Sequence, residues 1–112
     1  MDSPHALAAL AALGQPTRLD IFRLLMRHEP GGVPAGAIAA MVGYPQNTVS
    51  THLGILARSG LVRGVRDGRF IHYFANVDGM RALVGFLIND CCEGRPELCD
   101  LAKARPNPGC GC

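Results

Sequence analysis

The stretch that decides the fold is NTVSTHLGILARSGLVRGVRDGRFIHYF, residues 47–74. In its first half Val49, Leu53 and Leu56 recur at i, i+4 and i+7, which predicts a helix with one apolar face. This helix is expected to begin near Pro45 and to end at Ser59-Gly60. Small polar side chains then face outward on its first turns, namely Gln46, Asn47, Ser50 and Thr51.

The second half of the stretch predicts a β-hairpin. Two strand-like runs, Leu61–Arg66 and Arg69–Ala75, flank Asp67-Gly68, and Asp-Gly is a strong signal for a two-residue hairpin turn. Arg63 joins Arg66 and Arg69 near that turn. Such arginines alone are typical of a solvated surface, but directly after a helix pair the hairpin indicates the wing of a winged helix.

Four further helices are predicted outside this stretch. They run from Ser3-Pro4, with Ser3 as cap, to Gly14, from Gln15-Pro16-Thr17 to about His28, from Ala35 to Val42, and from Val77 to Asn89 with Asn76 or Asp78 as cap. The segment EPGGVPAG, residues 29–36, is expected to be a loop. The tight turn Gly43-Tyr44-Pro45 joins the third helix to the fourth, which is helix-turn-helix geometry.

Composition limits the class of protein. The chain has 112 residues, which suits one domain, and its formal net charge is only +2. Ten of its eleven basic residues are arginine, the type suited to planar contacts with phosphates and bases. The N-terminus lacks the basic start of a secretory signal, and no apolar run could cross a membrane, so the cytoplasm is the expected location. Five cysteines are an odd count for a disulfide framework.

Three segments together resemble the ArsR/SmtB family of bacterial metalloregulatory repressors: GQPTRLDIFRLL (Gly14–Leu25), NTVSTHLGILARSGLV (Asn47–Val62) and VRDGRFIHYF (Val65–Phe74). The resemblance implies a mainly α fold with a β-hairpin wing, in the order α-α-α-α-β-β-α, that is dimeric. It implies a winged helix-turn-helix DNA-binding and dimerisation domain over residues 1–90. Residues 91–112 would be an inducer-binding cysteine segment and a flexible tail.

The resemblance also implies how the protein acts. Such a protein is a homodimer built by its first and last helices, and it binds double-stranded operator DNA. Its recognition helix lies in the major groove, its wings lie along the backbone or minor groove, and inducer lowers the affinity for the operator. The predicted DNA contacts are Gln46, Asn47, Thr48, Ser50 and Thr51 from the helix, with Arg66 and Arg69 from the wing.

Two apolar stripes are the candidate dimer interface. Leu7, Leu10 and Leu13 lie on the first helix, and Met80, Leu83 and Leu87 lie on the last. Left unpaired, these stripes would expose a large apolar patch. The alternative is that they fold back onto their own subunit.

The segment DCCEGRPELC, residues 90–99, is the candidate inducer site. Thiolates bind soft ions, and structural zinc almost always takes four ligands, whereas Cys91, Cys92 and Cys99 offer three sulfurs. Trivalent arsenic or antimony, As(III) or Sb(III), is satisfied by three. Cys110 or Cys112 could add a fourth sulfur and favour zinc or cadmium. The segment also looks like the C-terminal arsenic site of some arsenic-responsive ArsR proteins.

Neighbouring residues of an α-helix point to different faces. Cys91 and Cys92 therefore cannot both bind one ion unless the helix ends, bends or unwinds there, and this distortion would change the spacing of the two DNA-reading units. The expected function is a repressor of an arsenic-resistance operon. Methylated As(III), cadmium and zinc remain alternative inducers, and a thiol-rich metal-sequestering protein is the alternative of another class. No catalytic arrangement is legible, so an enzyme is not expected.

Overall fold

The computed structural model describes residues 1–90, which form five α-helices, a three-stranded sheet and a final π-helix. The elements are α1 (Ser3–Leu13), α2 (Pro16–Arg27), β1 (Val33–Pro34), α3 (Ala35–Val42), α4 (Gln46–Arg58), β2 (Val62–Asp67), β3 (Phe70–Ala75), α5 (Val77–Gly85) and the π-helix (Phe86–Asp90). The predicted mainly α, winged helix-turn-helix fold class is confirmed. The bounds of α3 are those predicted, and those of α2 and α4 differ by about one residue.

The loop prediction for residues 29–36 is wrong in part, because β1 lies within it. Val33 pairs with Tyr73 and Pro34 with His72, so the strand order is β1-β3-β2 and the wing hairpin is anchored to the body of the protein. Val33 is buried beneath this pairing. Val33 and Pro34 follow two glycines, and two residues in this setting show no strand pattern. They are extended because they pair with the neighbouring strand β3.

The core lies where α2 and α4 cross. The three apolar positions that predicted α4, Val49, Leu53 and Leu56, are all fully buried. They meet Ile21 and Leu25 from α2 in one apolar cluster. The opposite side of α4 is left to solvent, and this side carries the polar residues of interest.

Helix α1 buries alanines rather than leucines. Ala6, Ala9 and Ala12 face the core, while Leu7 and Leu10 remain exposed on the outer side. The predicted cap at Ser3 is wrong by one residue: the Asp2 carboxylate accepts the His5 backbone N–H at 3.0 Å. This hydrogen bond, together with one from the His5 side chain, holds the pKa of Asp2 below its ordinary value.

Helix α5 starts as predicted and ends differently. Asn76, one of the two predicted caps, accepts the Gly79 backbone N–H at 3.2 Å. The α-helix stops at Gly85, where the prediction continued to Asn89, and the chain goes on as a π-helix over Phe86–Asp90. Helical periodicity does not distinguish a π turn from an α turn over five residues.

One joint connects the end of α4, the wing and α5. The Asn76 side chain donates to the Gly60 carbonyl at 2.8 Å, and the Asn76 backbone N–H donates to the Leu61 carbonyl at 2.8 Å. Gly79 passes so close to Gly60 that no side chain fits between them. The joint therefore sets the position of the wing relative to α4.

Candidate nucleic-acid interface

Helix α4 presents a polar face at its N-terminal end. Gly43 adopts a left-handed conformation, φ 80°, that ends α3 and turns the chain into α4. Four of the five predicted DNA-contacting side chains on α4 are exposed, and Thr48 is half-buried. The structure therefore gathers Gln46, Asn47, Thr48, Ser50 and Thr51 on the first two turns of one helix, although their contact with DNA stays a prediction.

Two hydrogen bonds organise this face. The Thr48 backbone N–H donates to Asn47 Oδ1 at 2.9 Å, and Thr51 Oγ1 donates to the Asn47 carbonyl at 3.1 Å. The first bond orients the Asn47 amide, whose NH₂ group is a donor suited to acceptors on base edges. The second leaves the Thr51 hydroxyl oxygen with its acceptor lone pairs directed away from the helix backbone.

The Arg18 side chain contacts both α1 and α4. Its Nε donates to the Ala12 carbonyl at 2.7 Å, and one terminal guanidinium nitrogen lies 3.3 Å from His52 Nδ1. Arginine has no acceptor, so Nδ1 of His52 is the acceptor in this pair. Arg18 thus links the C-terminal end of α1 to the recognition helix. No local sequence pattern identifies Arg18, because its contact joins residues 34 positions apart.

The wing presents its arginines at a tight turn. Asp67 pairs with Phe70, so Gly68 and Arg69 form the two-residue loop, one position later than the predicted Asp67-Gly68. Gly68 has φ 63°, a conformation that favours glycine at the first position of such turns. Arg66 and Arg69 are both exposed.

Arg63 is further from the turn, and its guanidinium carbon lies 4.5 Å from the centroid of the Phe74 ring. It is therefore engaged within the hairpin.

A cleft joins the two predicted DNA-contacting elements. It has a volume of about 630 Å³ and lies between the start of α3, the start of α4 and the first residues of β3. Gln46 lies on its α4 side, and Arg69 and Phe70 lie on its wing side. The sequence could not reveal this cleft, because it depends on the packing of β3 beside α3.

The outer faces of α1, of α5 and of the π-helix that continues α5 are the candidate dimer surface. Leu7 is 66% exposed, Leu10 41% and Leu87 36%. Leu13 and Met80 pack in part against the subunit's own core, and Leu83 is buried in it at 4% exposure. For Leu83 the expectation of an interface position is therefore corrected: it fills its own subunit, because α5 turns that side toward the core.

The cysteines of the predicted inducer site, Cys91, Cys92, Cys99, Cys110 and Cys112, lie outside the described residues. Within residues 1–90, no three histidine, cysteine, aspartate or glutamate side chains come together in a way that could hold a metal ion. No helix over the same range has the length and apolarity needed to cross a bilayer.

Comparisons with known proteins agree with this geometry. Residues 13–65 match the profile of a helix-turn-helix domain. The chain is 34% identical to the nodulation protein NolR of Rhizobium meliloti over 86 residues, which cover 77% of this chain and 68% of NolR.

Solved structures agree as well. A homodimeric winged helix-turn-helix DNA-binding domain from Mycobacterium bovis, a possible ArsR-family transcriptional regulator, is 30% identical, with a TM-score of 0.63 over 71% of this chain and 72% of that one. An ArsR-like regulator from Rhodococcus sp. RHA1, 23% identical, shares the fold with a TM-score of 0.72 over 93% and 95% of the two chains.

A recognition helix with a polar outer face, followed by an arginine-tipped wing, defines a winged helix-turn-helix transcriptional regulator of the DNA-binding kind, rather than an enzyme. More particularly, the chain belongs to the ArsR family. The resemblance seen in the sequence is thereby confirmed at the level of the family.

Proposed function

We propose that this regulator is a repressor that binds operator DNA with α4 in the major groove and the β2–β3 wing beside it. The observation that carries the proposal is the placement of five small polar side chains on the first turns of α4, together with the exposed Arg66 and Arg69 at the tip of the wing. Asparagine and glutamine read adenine edges, serine and threonine reach phosphates, and arginine neutralises phosphate charge.

The test is fluorescence anisotropy of labelled DNA from upstream of the protein's own gene, titrated with reduced protein. Asn47→Ala is expected to weaken specific binding by about 1–3 kcal/mol, the usual worth of a good side-chain-to-base pair. Arg66→Gln is expected to weaken binding to all sequences and to lower the salt slope by about 1. Arg23→Gln, which removes an exposed arginine from α2, is the matched control. Equal losses for the control variant would contradict this assignment.

We further propose that the repressor is a homodimer joined through α1 and α5. Leu7 and Leu10 on α1 and Leu87 on the π-helix that continues α5 form exposed apolar surface, and the Mycobacterium bovis relative is a homodimeric domain. A dimer brings two recognition helices to half-sites about 34 Å apart, one turn of the duplex. Sedimentation equilibrium of the full chain tests this, and a monomer at micromolar concentration would contradict it.

Trivalent arsenic, As(III), with Sb(III) as its heavier analogue, is the proposed inducer, bound by Cys91, Cys92 and Cys99. Three thiolates satisfy its pyramidal valence, and each thiol proton leaves with a hydroxide of arsenous acid as water. Because α5 ends at Gly85 and passes into the π-helix Phe86–Asp90, the cysteines follow directly on a helix end that already departs from α geometry. Rearrangement there would act on the α1–α5 dimer surface.

Release of the DNA complex by arsenite, cadmium and zinc, added in parallel, tests the inducer. Cys91→Ser or Cys92→Ser is expected to abolish arsenite release while leaving DNA affinity intact. The double variant Cys110→Ser/Cys112→Ser is the matched control and should respond like the wild type. If cadmium or zinc releases the DNA and the control variant fails to respond, the site includes the tail and is not an arsenic site. If a Cys99→Ser variant still responds to methylated As(III), which needs only two sulfurs, methylated As(III) would be the inducer instead.

A further inference from the structure

Among the residues that the structure describes, the aromatic ring at the tip of the wing is largely exposed to solvent. Phe70 opens strand β3, lies opposite Asp67 in the hairpin register and is 64% exposed. A ring left in water is unfavourable, because removing apolar surface from water is the main favourable contribution to folding and binding. Phe70 lies on the wing, whereas the exposed leucines lie on α1 and on the π-helix that continues α5. The proposed dimer surface therefore does not account for it.

The cleft beside Phe70 leads to the recognition helix. Gln46 of α4 and Arg69 of the wing line the same cleft of about 630 Å³ as Phe70. A DNA strand that contacts both Gln46 and Arg69 would span this cleft, and Phe70 lines its wing side. On this ground we propose that Phe70 is an apolar DNA contact, packing against deoxyribose and base edges next to the phosphates held by Arg66 and Arg69. The inference rests on the proposed DNA binding and adds a chemically different contact to it.

The charge of the hairpin favours DNA over a second copy of this chain as the molecule that covers Phe70. The hairpin carries three arginines, Arg63, Arg66 and Arg69, against the single carboxylate of Asp67. Two wings packed tip to tip would bring like charges together, whereas a polyanion is attracted. DNA also offers apolar surface between its phosphates, in the sugars and the thymine methyl group, and phenylalanine is a known partner for such surface.

The two kinds of contact differ in their response to salt. An arginine on a phosphate releases counterions, so its contribution falls as salt rises. A phenylalanine on a sugar releases water but no ions, so its contribution should not change with salt. The wing would thus supply a part of the affinity that persists at high ionic strength.

The experiment measures the affinity of the full-length protein for its upstream DNA from 50 mM to 300 mM salt. Phe70→Ala is expected to lower the affinity about tenfold at every salt concentration, with the slope of log affinity against log salt unchanged. Arg69→Gln should instead lower the slope by about 1. Phe70→Leu, which keeps apolar bulk, should restore most of the affinity.

Val65→Ala is the matched control. Val65 is 43% exposed on the same hairpin but does not line the cleft, so its loss should leave the affinity unchanged. Circular dichroism confirms that each variant is folded.

Wild-type affinity for Phe70→Ala, or a change of slope equal to that of Arg69→Gln, would overturn the inference while leaving the regulator intact. Absence of specific binding by the wild type would overturn the proposed function itself, so the two failures are distinguishable.

Discussion

Replacing Gly79 by alanine should destabilise the protein although alanine is the better helix former. A Cβ atom at Gly79 would clash with the Gly60 carbonyl oxygen and lie 3.2 Å from the carbonyl carbon, and this backbone is held by Asn76. Overpacking typically costs about 1–3 kcal/mol, and a rigid backbone neighbour places this site at the upper end. Helix propensity returns at most about 1 kcal/mol. The net expectation is a loss of about 2 kcal/mol.

Gly85→Ala in the same helix is the matched control. Its Cβ would lie 3.9 Å from Asn89 Nδ2, an ordinary contact, so only the propensity gain remains. We expect about 0.5–1 kcal/mol of added stability.

The assay is urea unfolding followed by far-ultraviolet circular dichroism, because the chain has no tryptophan. All variants must be compared at one protein concentration, since a dimer's stability depends on it. A Gly79→Ala protein as stable as the wild type would show that the joint between α4, the wing and α5 yields easily, and would refute its role in setting the wing.

Three further perturbations test the turn of the wing, the contact between Arg18 and His52, and the dimer surface. Gly68→Ala should cost about 1 kcal/mol in the same urea assay because φ is 63°, while Gly68→Asn should cost less, and equal values would contradict the left-handed turn. Arg18→Gln and His52→Ala should be non-additive by about 0.5–1.5 kcal/mol in DNA affinity, measured as a double-mutant cycle, and strict additivity would show that their contact does not orient α4. Leu10→Lys should shift the sedimentation equilibrium toward monomer, whereas unchanged mass would remove α1 from the interface.

Much of the fold was predictable because its elements have strong local signals. The i, i+4, i+7 spacing of Val49, Leu53 and Leu56 predicted α4, and all three side chains are fully buried. The hairpin was predicted from the Asp67-Gly68 pair and misplaced by one residue, since the register is decided by which cross-strand partners pack together. Strand β1 was missed, because two extended residues have no periodicity to detect.

The polar face of α4 was predictable for the same reason. Once the apolar side of a helix is known, the residues on its opposite side are known too. Leu83 was assigned to the wrong surface, because an apolar stripe does not say whether it meets its own subunit or a partner.

The amino-acid sequence by itself determined the helices, the arginine-tipped hairpin and the exposed polar face of α4, because each depends on residues a few positions apart. Only the tertiary structure decided which contacts join distant segments: Arg18 behind His52, Asn76 and Gly79 against Gly60, and Gln46 across a cleft from Phe70. The physical reason is that close packing selects these partners from many that local propensity allows equally well.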